Sequence, residues 1–160
     1  MNASKNGFEV FLEFAKAEAA RYGVDEISTR DPRVATTHPD WQEEESWKDG
    51  AYARVSQPLG AIRPRLHFNP NVDTAAAAEY LTKRLGCRIF PDEVYYFALF
   101  HEIGHMEVRG TPVALLLLSL DGKDLQAPIR ESEKNADVWA LQELFSWRRE
   151  NSRAQAAGRQ

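Results

Sequence analysis

The sequence predicts an α+β fold in a single domain, with a small, mostly antiparallel sheet packed against a buried helix. Several segments carry apolar residues at helical spacing, and two short extended runs lie together at residues 51–56 and 62–68. The chain has 160 residues and no repeat or low-complexity linker divides it. We therefore expect residues 1–150 to form one domain and residues 151–160 a flexible basic tail.

The composition favours a folded protein with neither nucleic acid nor a membrane as its partner. A net charge of -4 provides no domain-wide positive field for a phosphate backbone. The longest apolar run, at 113–118, is far shorter than the about 20 residues that span a bilayer. With Cys87 as its single cysteine the chain has no internal disulfide, and the start MNASKNGFEV lacks the apolar core of a secretory signal. The cytoplasm is the expected compartment.

The first elements are a helix followed by a long irregular segment. Apolar residues recur at three- and four-residue intervals over residues 8–22, and Gly23 then stops the helix. Residues 25–50 are rich in Pro, Asp, Glu and Thr and fit no period, so we expect mostly irregular structure. Trp41 and Trp47 are expected to anchor this segment.

The extended runs at 51–56 and 62–68 flank the turn-like segment QPLGA and predict a hairpin. Pro64 predicts that the second run lies at a sheet edge, because proline has no N–H to donate to a ladder. An alanine-rich helix should follow over residues 74–85, with Asp73 or Thr74 as its cap and Gly86 as its terminator.

Two long helices complete the predicted fold. Residues 91–109 begin with Pro91, which suits a first helical position, and they are apolar on all sides, as is typical of a helix in the centre of a domain. An amphipathic helix is predicted at 128–150. The run PVALLLLSL at 112–120 is expected to belong to the core or to cover the site.

The buried helix carries HEIGH at residues 101–105. His101 and His105 are four residues apart, so their imidazoles project from one helix face and can reach one metal ion. Glu102 is turned by about 100° around the axis, where its carboxylate can hold a water beside the metal and act as a general base. Neutral imidazole is a good ligand for zinc, and a catalytic zinc site takes three protein ligands and leaves one position open.

A third ligand must come from another segment. The two other histidines, His38 and His67, both precede HEIGH, so the downstream ligand is expected to be a carboxylate. The segment IRESEKNADVWALQEL offers Glu131, Glu133 and Asp137. Glu133 and Asp137 are one helical turn apart, so Glu133 could bind the metal while Asp137 orients a ligand histidine.

This order of motifs resembles the gluzincin metallopeptidases, in which HExxH is followed by a glutamate ligand and by an aspartate four residues later. Within that group, three segments resemble the small ImmA/IrrE-like peptidases: LHFNP at 66–70, ALFHEIGHMEV at 98–108 and ESEKNADVWALQEL at 131–144. The resemblance implies a zincin-like fold with one zinc ion on His101, His105 and Glu133, Glu102 as the general base, and Asp137 behind a ligand histidine.

The expected function is that of a small cytoplasmic zinc endopeptidase acting on a protein or peptide substrate, which an edge strand could bind in extended form. A non-proteolytic binding or regulatory module that keeps the zincin fold is the main alternative. A zinc hydrolase for a non-peptide bond is a third. No oxyanion donor is assigned among the candidates, which are His38, His67, Tyr52, Tyr80, Tyr95 and Tyr96.

Overall fold

The structure is a computed structural model that describes residues 6–33, 46–57, 61–107 and 126–159. Within these ranges it contains four α-helices and one small sheet, so the fold is α+β and mostly helical. The elements in chain order are α1 (Gly7–Ala20), β1 (Glu26–Ser28), β2 (Ala53–Ser56), β3 (Arg65–Phe68), α2 (Thr74–Leu85), a 3-10 turn (Pro91–Glu93), α3 (Val94–Glu107) and α4 (Gln126–Ala157). None of the helices in these ranges is long and apolar enough to cross a membrane.

Some predictions lie outside the described residues. They concern His38, Trp41, the run at 112–120 and the end of the buried helix near Arg109.

The chain divides into two compact units, Met1–Ala98 and Leu99–Gln160. The boundary falls within α3, so the predicted metal ligands all belong to the second unit and the sheet belongs to the first. The single domain over residues 1–150, and the packing of the sheet on the HEIGH helix, stay predictions.

Helix α1 forms where its apolar spacing predicted a helix. Asn6 caps its start, because the Asn6 side chain accepts the Glu9 N–H and the Glu9 carboxylate accepts the Asn6 N–H. Phe11 and Ala15 lie on its buried face. The helix ends at Ala20, slightly before the predicted stop at Gly23, which has a positive φ of 78° in the following turn.

The sheet differs from the prediction in two respects. It has the order β1-β3-β2, with β2 antiparallel and β1 parallel to β3, so it is mixed rather than mostly antiparallel. Strand β3 is therefore central, and the edge position predicted from Pro64 is wrong. Pro64 lies just before the strand, where only its carbonyl is needed, and that carbonyl accepts the Asp25 N–H at 3.0 Å.

The predicted cap and terminator of α2 are confirmed. The Asp73 side chain accepts the Ala76 N–H at 3.0 Å, and Gly86 adopts a left-handed conformation with φ 69° at the end of the helix. Each residue satisfies backbone groups that the helix end leaves open, which fixes the bounds at Thr74–Leu85 as predicted.

Trp47 anchors the irregular segment, as predicted. It is buried, its backbone N–H donates to Asp31 at 2.8 Å, and its indole N–H donates to the Thr29 carbonyl at 3.1 Å. The Arg54 guanidinium lies over the indole ring at 5.0 Å from its centroid. These contacts hold Trp47 at an unusual positive φ of 58°.

The helices of the second unit are α4 and the last turns of α3. Leu99, Phe100 and Ile103 of α3 are buried, in agreement with the predicted central helix. Helix α4 runs to Ala157, past the predicted end near Glu150, so most of the segment predicted as a flexible tail is helical. The extension NSRAQAA contains no glycine or proline, and the first helix-breaking residue is Gly158.

Candidate metal centre

Helix α3 places His101 and His105 side by side. Their rings are 4.7 Å apart between centroids, and the two Nε2 atoms are 3.1 Å apart. Both side chains are mostly buried, with 13% and 19% of their surface exposed. The four-residue spacing therefore produces the paired imidazoles that the sequence predicted.

Helix α4 brings Glu133 against this pair. Glu133 Oε2 lies 3.1 Å from Nε2 of His101, and Oε1 lies 3.1 Å from Nε2 of His105. Hydrogen bonds from His101 and then His105 hold the pKa of Glu133 far below its ordinary value, so the carboxylate is charged. Glu131, the other candidate ligand, is exposed like Glu133 but does not join the cluster.

The spacing and the donor set fit a metal ion. One ligand atom from each of His101, His105 and Glu133 can be chosen so that all lie within 4.8 Å of one another. Two ligands of a tetrahedral zinc, each about 2.0–2.1 Å from the ion, are separated by about 3.3 Å. The 3.1 Å between the two Nε2 atoms is close to that value, and Glu133 contacts each of them at 3.1 Å through a different carboxylate oxygen, so the group could hold a cation.

Asp137 holds the first imidazole from behind. Its Oδ1 lies 2.8 Å from Nδ1 of His101. When a histidine binds a metal through Nε2, the proton resides on Nδ1, so His101 then donates this bond and its ring is fixed. Burial alone would lower the pKa of His101, but the hydrogen bonds with Asp137 and Glu133 outweigh burial and raise it to about 9.

Ser132 contacts the second imidazole, and the sequence did not predict this role. Its Oγ lies 3.2 Å from Nδ1 of His105. Serine beside an acidic residue at a helix start is common on protein surfaces, so nothing in the pattern distinguished Ser132 from a solvated residue.

Glu102 is partly buried next to the imidazole pair. Its negative charge contributes to the raised pKa of His101, which places the carboxylate within electrostatic reach of the ligands. It does not belong to the cluster of possible metal ligands, and its role as a general base stays a prediction.

Gly104 allows the two helices to approach closely. A Cβ atom at this position would lie 3.1 Å from the Ala136 Cα and 3.1 Å from the Trp139 Cβ. Gly104 lies between the two histidines of α3, and Ala136 lies between Glu133 and Asp137 of α4. A signal for it existed, since a glycine inside a helix costs about 1 kcal/mol relative to alanine and often marks a close contact.

Two of the candidate oxyanion donors have partners within the first unit. His67 is buried, with Nε2 2.6 Å from Ser56 Oγ, and the Tyr95 hydroxyl donates to the Asn69 carbonyl at 2.7 Å.

No family model, curated protein or solved structure matches this chain. A proposal for the function of this site therefore rests on the chemistry of its side chains and on the order of its motifs in the sequence.

Proposed function

We propose that this chain binds one zinc ion through His101, His105 and Glu133 and hydrolyses peptide bonds with Glu102 as the general base. One observation carries the proposal: two imidazoles of α3 and a carboxylate of α4 meet through 3.1 Å contacts. The two imidazoles are mostly buried and the Glu133 side chain is 53% exposed, and a divalent cation would satisfy all three groups at once.

The donor set favours zinc. Imidazole nitrogen with a single carboxylate is typical of catalytic zinc sites that retain an open position. When bound, zinc polarises a substrate carbonyl and lowers the pKa of a water ligand to about 7.

The protein side chains then have separate tasks. His101, held by Asp137, and His105, held by Ser132, present their Nε2 atoms in fixed directions. Glu102 accepts a proton from the attacking water and donates it to the leaving nitrogen, which requires a carboxylate close to the ligands but not bound to the ion.

A protein or peptide is the proposed substrate. The resemblance to gluzincin peptidases supports this choice, because HEIGH and the ESEKNAD segment follow the peptidase order of motifs.

Glu102→Gln tests the assignment. The substitution keeps the shape of the side chain and removes its basicity, so zinc content should stay at the wild-type level while hydrolysis falls by at least about 100-fold. Zinc-loaded wild-type protein and the variant would be incubated with a peptide library of mixed sequence, and new termini would be quantified by mass spectrometry. His101→Ala serves as the metal-free control, which should lose both zinc and cleavage.

Cleavage by Glu102→Gln at the wild-type rate would contradict the general-base role. If zinc-loaded wild-type protein shows no peptide cleavage that a chelator suppresses, the peptidase proposal fails. The non-proteolytic module then becomes the better account. Turnover of small esters or amides without peptide cleavage would instead favour the non-peptide hydrolase.

A further inference from the structure

The two imidazoles of the proposed metal centre contact different kinds of polar group through Nδ1. His101 has a carboxylate behind it, Asp137 at 2.8 Å, whereas His105 has a neutral hydroxyl, Ser132 at 3.2 Å. The order of the contacts is reversed between the two helices: His101 contacts Asp137, whereas the later His105 contacts the earlier Ser132. The two helices are therefore antiparallel at the site, and Ser132 and Asp137 lie about one and a half turns apart on α4.

We propose that Ser132 is a positioning residue for His105 and that its hydroxyl sets part of the affinity of the site for zinc. This inference rests on the proposed metal centre, in which His105 binds through Nε2. With Nε2 on the ion, Nδ1 carries a proton and donates it to Ser132 Oγ, which fixes the rotation of the ring.

The placement on α4 supports this role. Ser132 directly precedes Glu133, so the same part of the helix provides a metal ligand and the acceptor for a neighbouring ligand. Because Glu133 contacts both Nε2 atoms, any rotation of the His105 ring away from Ser132 would also disturb the 3.1 Å contact between His105 and Glu133. Ser132 thus aligns two ligands through one hydrogen bond.

Because the Ser132 hydroxyl is a neutral acceptor, its removal should weaken zinc binding only moderately. Removing a group that orients a metal ligand typically weakens metal binding by about 10- to 100-fold, and a half-buried hydroxyl that water can replace belongs at the lower end. Ser132→Ala should therefore weaken zinc binding by about 10-fold. Alanine is a better helix former than serine, so a loss of α4 cannot account for this change.

The experiment compares zinc affinity in full-length variants by competition with a chromophoric chelator. Ser132→Ala should show the loss, and Ser132→Thr, which keeps the hydroxyl, should restore most of the affinity. Ser146→Ala is the matched control, since Ser146 lies on the same helix and its Oγ accepts a bond from Arg149 instead. Cobalt-loaded protein provides a second readout, because the visible spectrum of Co²⁺ reports ligand geometry and should change only in Ser132→Ala.

Wild-type affinity and an unchanged cobalt spectrum in Ser132→Ala would overturn the role of Ser132 while leaving the metal centre intact. An equal loss in Ser132→Thr and Ser132→Ala would overturn it as well, because the hydroxyl would then be irrelevant. If wild-type protein binds neither zinc nor cobalt, the proposed metal centre itself fails and this inference fails with it.

Discussion

At the candidate centre, the charge state of each side chain depends on its hydrogen-bond partners. Hydrogen bonds with Asp137 and then Glu133 outweigh burial and raise the pKa of His101 to about 9, whereas hydrogen bonds from His101 and then His105 lower the pKa of Glu133. The roles of Glu133 and Asp137 could be predicted from the sequence, because the two residues are one helical turn apart. One of them can therefore bind a metal while the other orients a ligand histidine. The role of Ser132 could not be predicted, because a serine in a charged helical segment looks the same in sequence whether it is solvated or contacts His105.

His67 gives a residue-scale prediction for the dependence of stability on pH. Burial lowers the pKa of His67 below its ordinary value of 6.5, so the unfolded chain binds a proton more readily than the folded chain. The stabilising effect of the neutral imidazole is complete above pH 6.5 and is lost as the pH falls from there towards the folded pKa. Wild-type protein should therefore lose more stability than His67→Gln on acidification, by up to about 1.4 kcal/mol per pH unit.

Urea denaturation of both proteins in the presence of a chelator, at about pH 8 and about pH 5.5, measures this difference. The chelator keeps the candidate metal centre in the same state in both proteins, so its own titration cancels in the comparison. Identical pH dependence in the two proteins would show that His67 titrates normally in the folded state.

Among the elements, helices followed the sequence more closely than strands. The Asp73 cap and the Gly86 terminator are local signals, and they fixed α2 at its predicted bounds. Strand β1 was missed because three residues are too few to show a period of two. Its parallel pairing with β3 depends on residues nearly forty positions apart, which no local pattern around Pro64 could reveal.

Gly104 gives an element-scale prediction about how closely α3 and α4 approach. In Gly104→Ala the new methyl would meet Ala136 and Trp139 at 3.1 Å, so the helices must separate slightly. Such overpacking costs about 1–3 kcal/mol, which exceeds the about 1 kcal/mol that alanine contributes through helix propensity. The variant should be less stable than wild type and should also bind zinc more weakly, as measured by urea denaturation and chelator competition.

Gly7→Ala is the control for helix propensity. Gly7 lies in α1, and a Cβ atom there would have no neighbour within 4 Å, so this variant should be as stable as wild type or more stable. If Gly104→Ala proved as well tolerated as Gly7→Ala, with unchanged zinc affinity, the close helix approach would not be what sets the ligand positions.

For the whole molecule, the α+β class and all four described helices were predictable from apolar spacing and helix-end residues. The mixed order of the sheet and the length of α4 were not. Strand order depends on long-range pairing, and α4 continues because its sequence lacks a stop before Gly158. The division into two compact units has no counterpart in composition, since the boundary falls inside a continuous helix.

The metal content of the purified protein tests the central proposal most directly. After incubation with zinc and removal of loosely bound ions, wild-type protein should retain about one zinc per chain, and X-ray absorption should show nitrogen and oxygen ligands at about 2.0–2.2 Å. His101→Ala and Glu133→Ala should retain far less. Wild-type protein that retains no more zinc than these variants would contradict the convergence of α3 and α4 on a common cation.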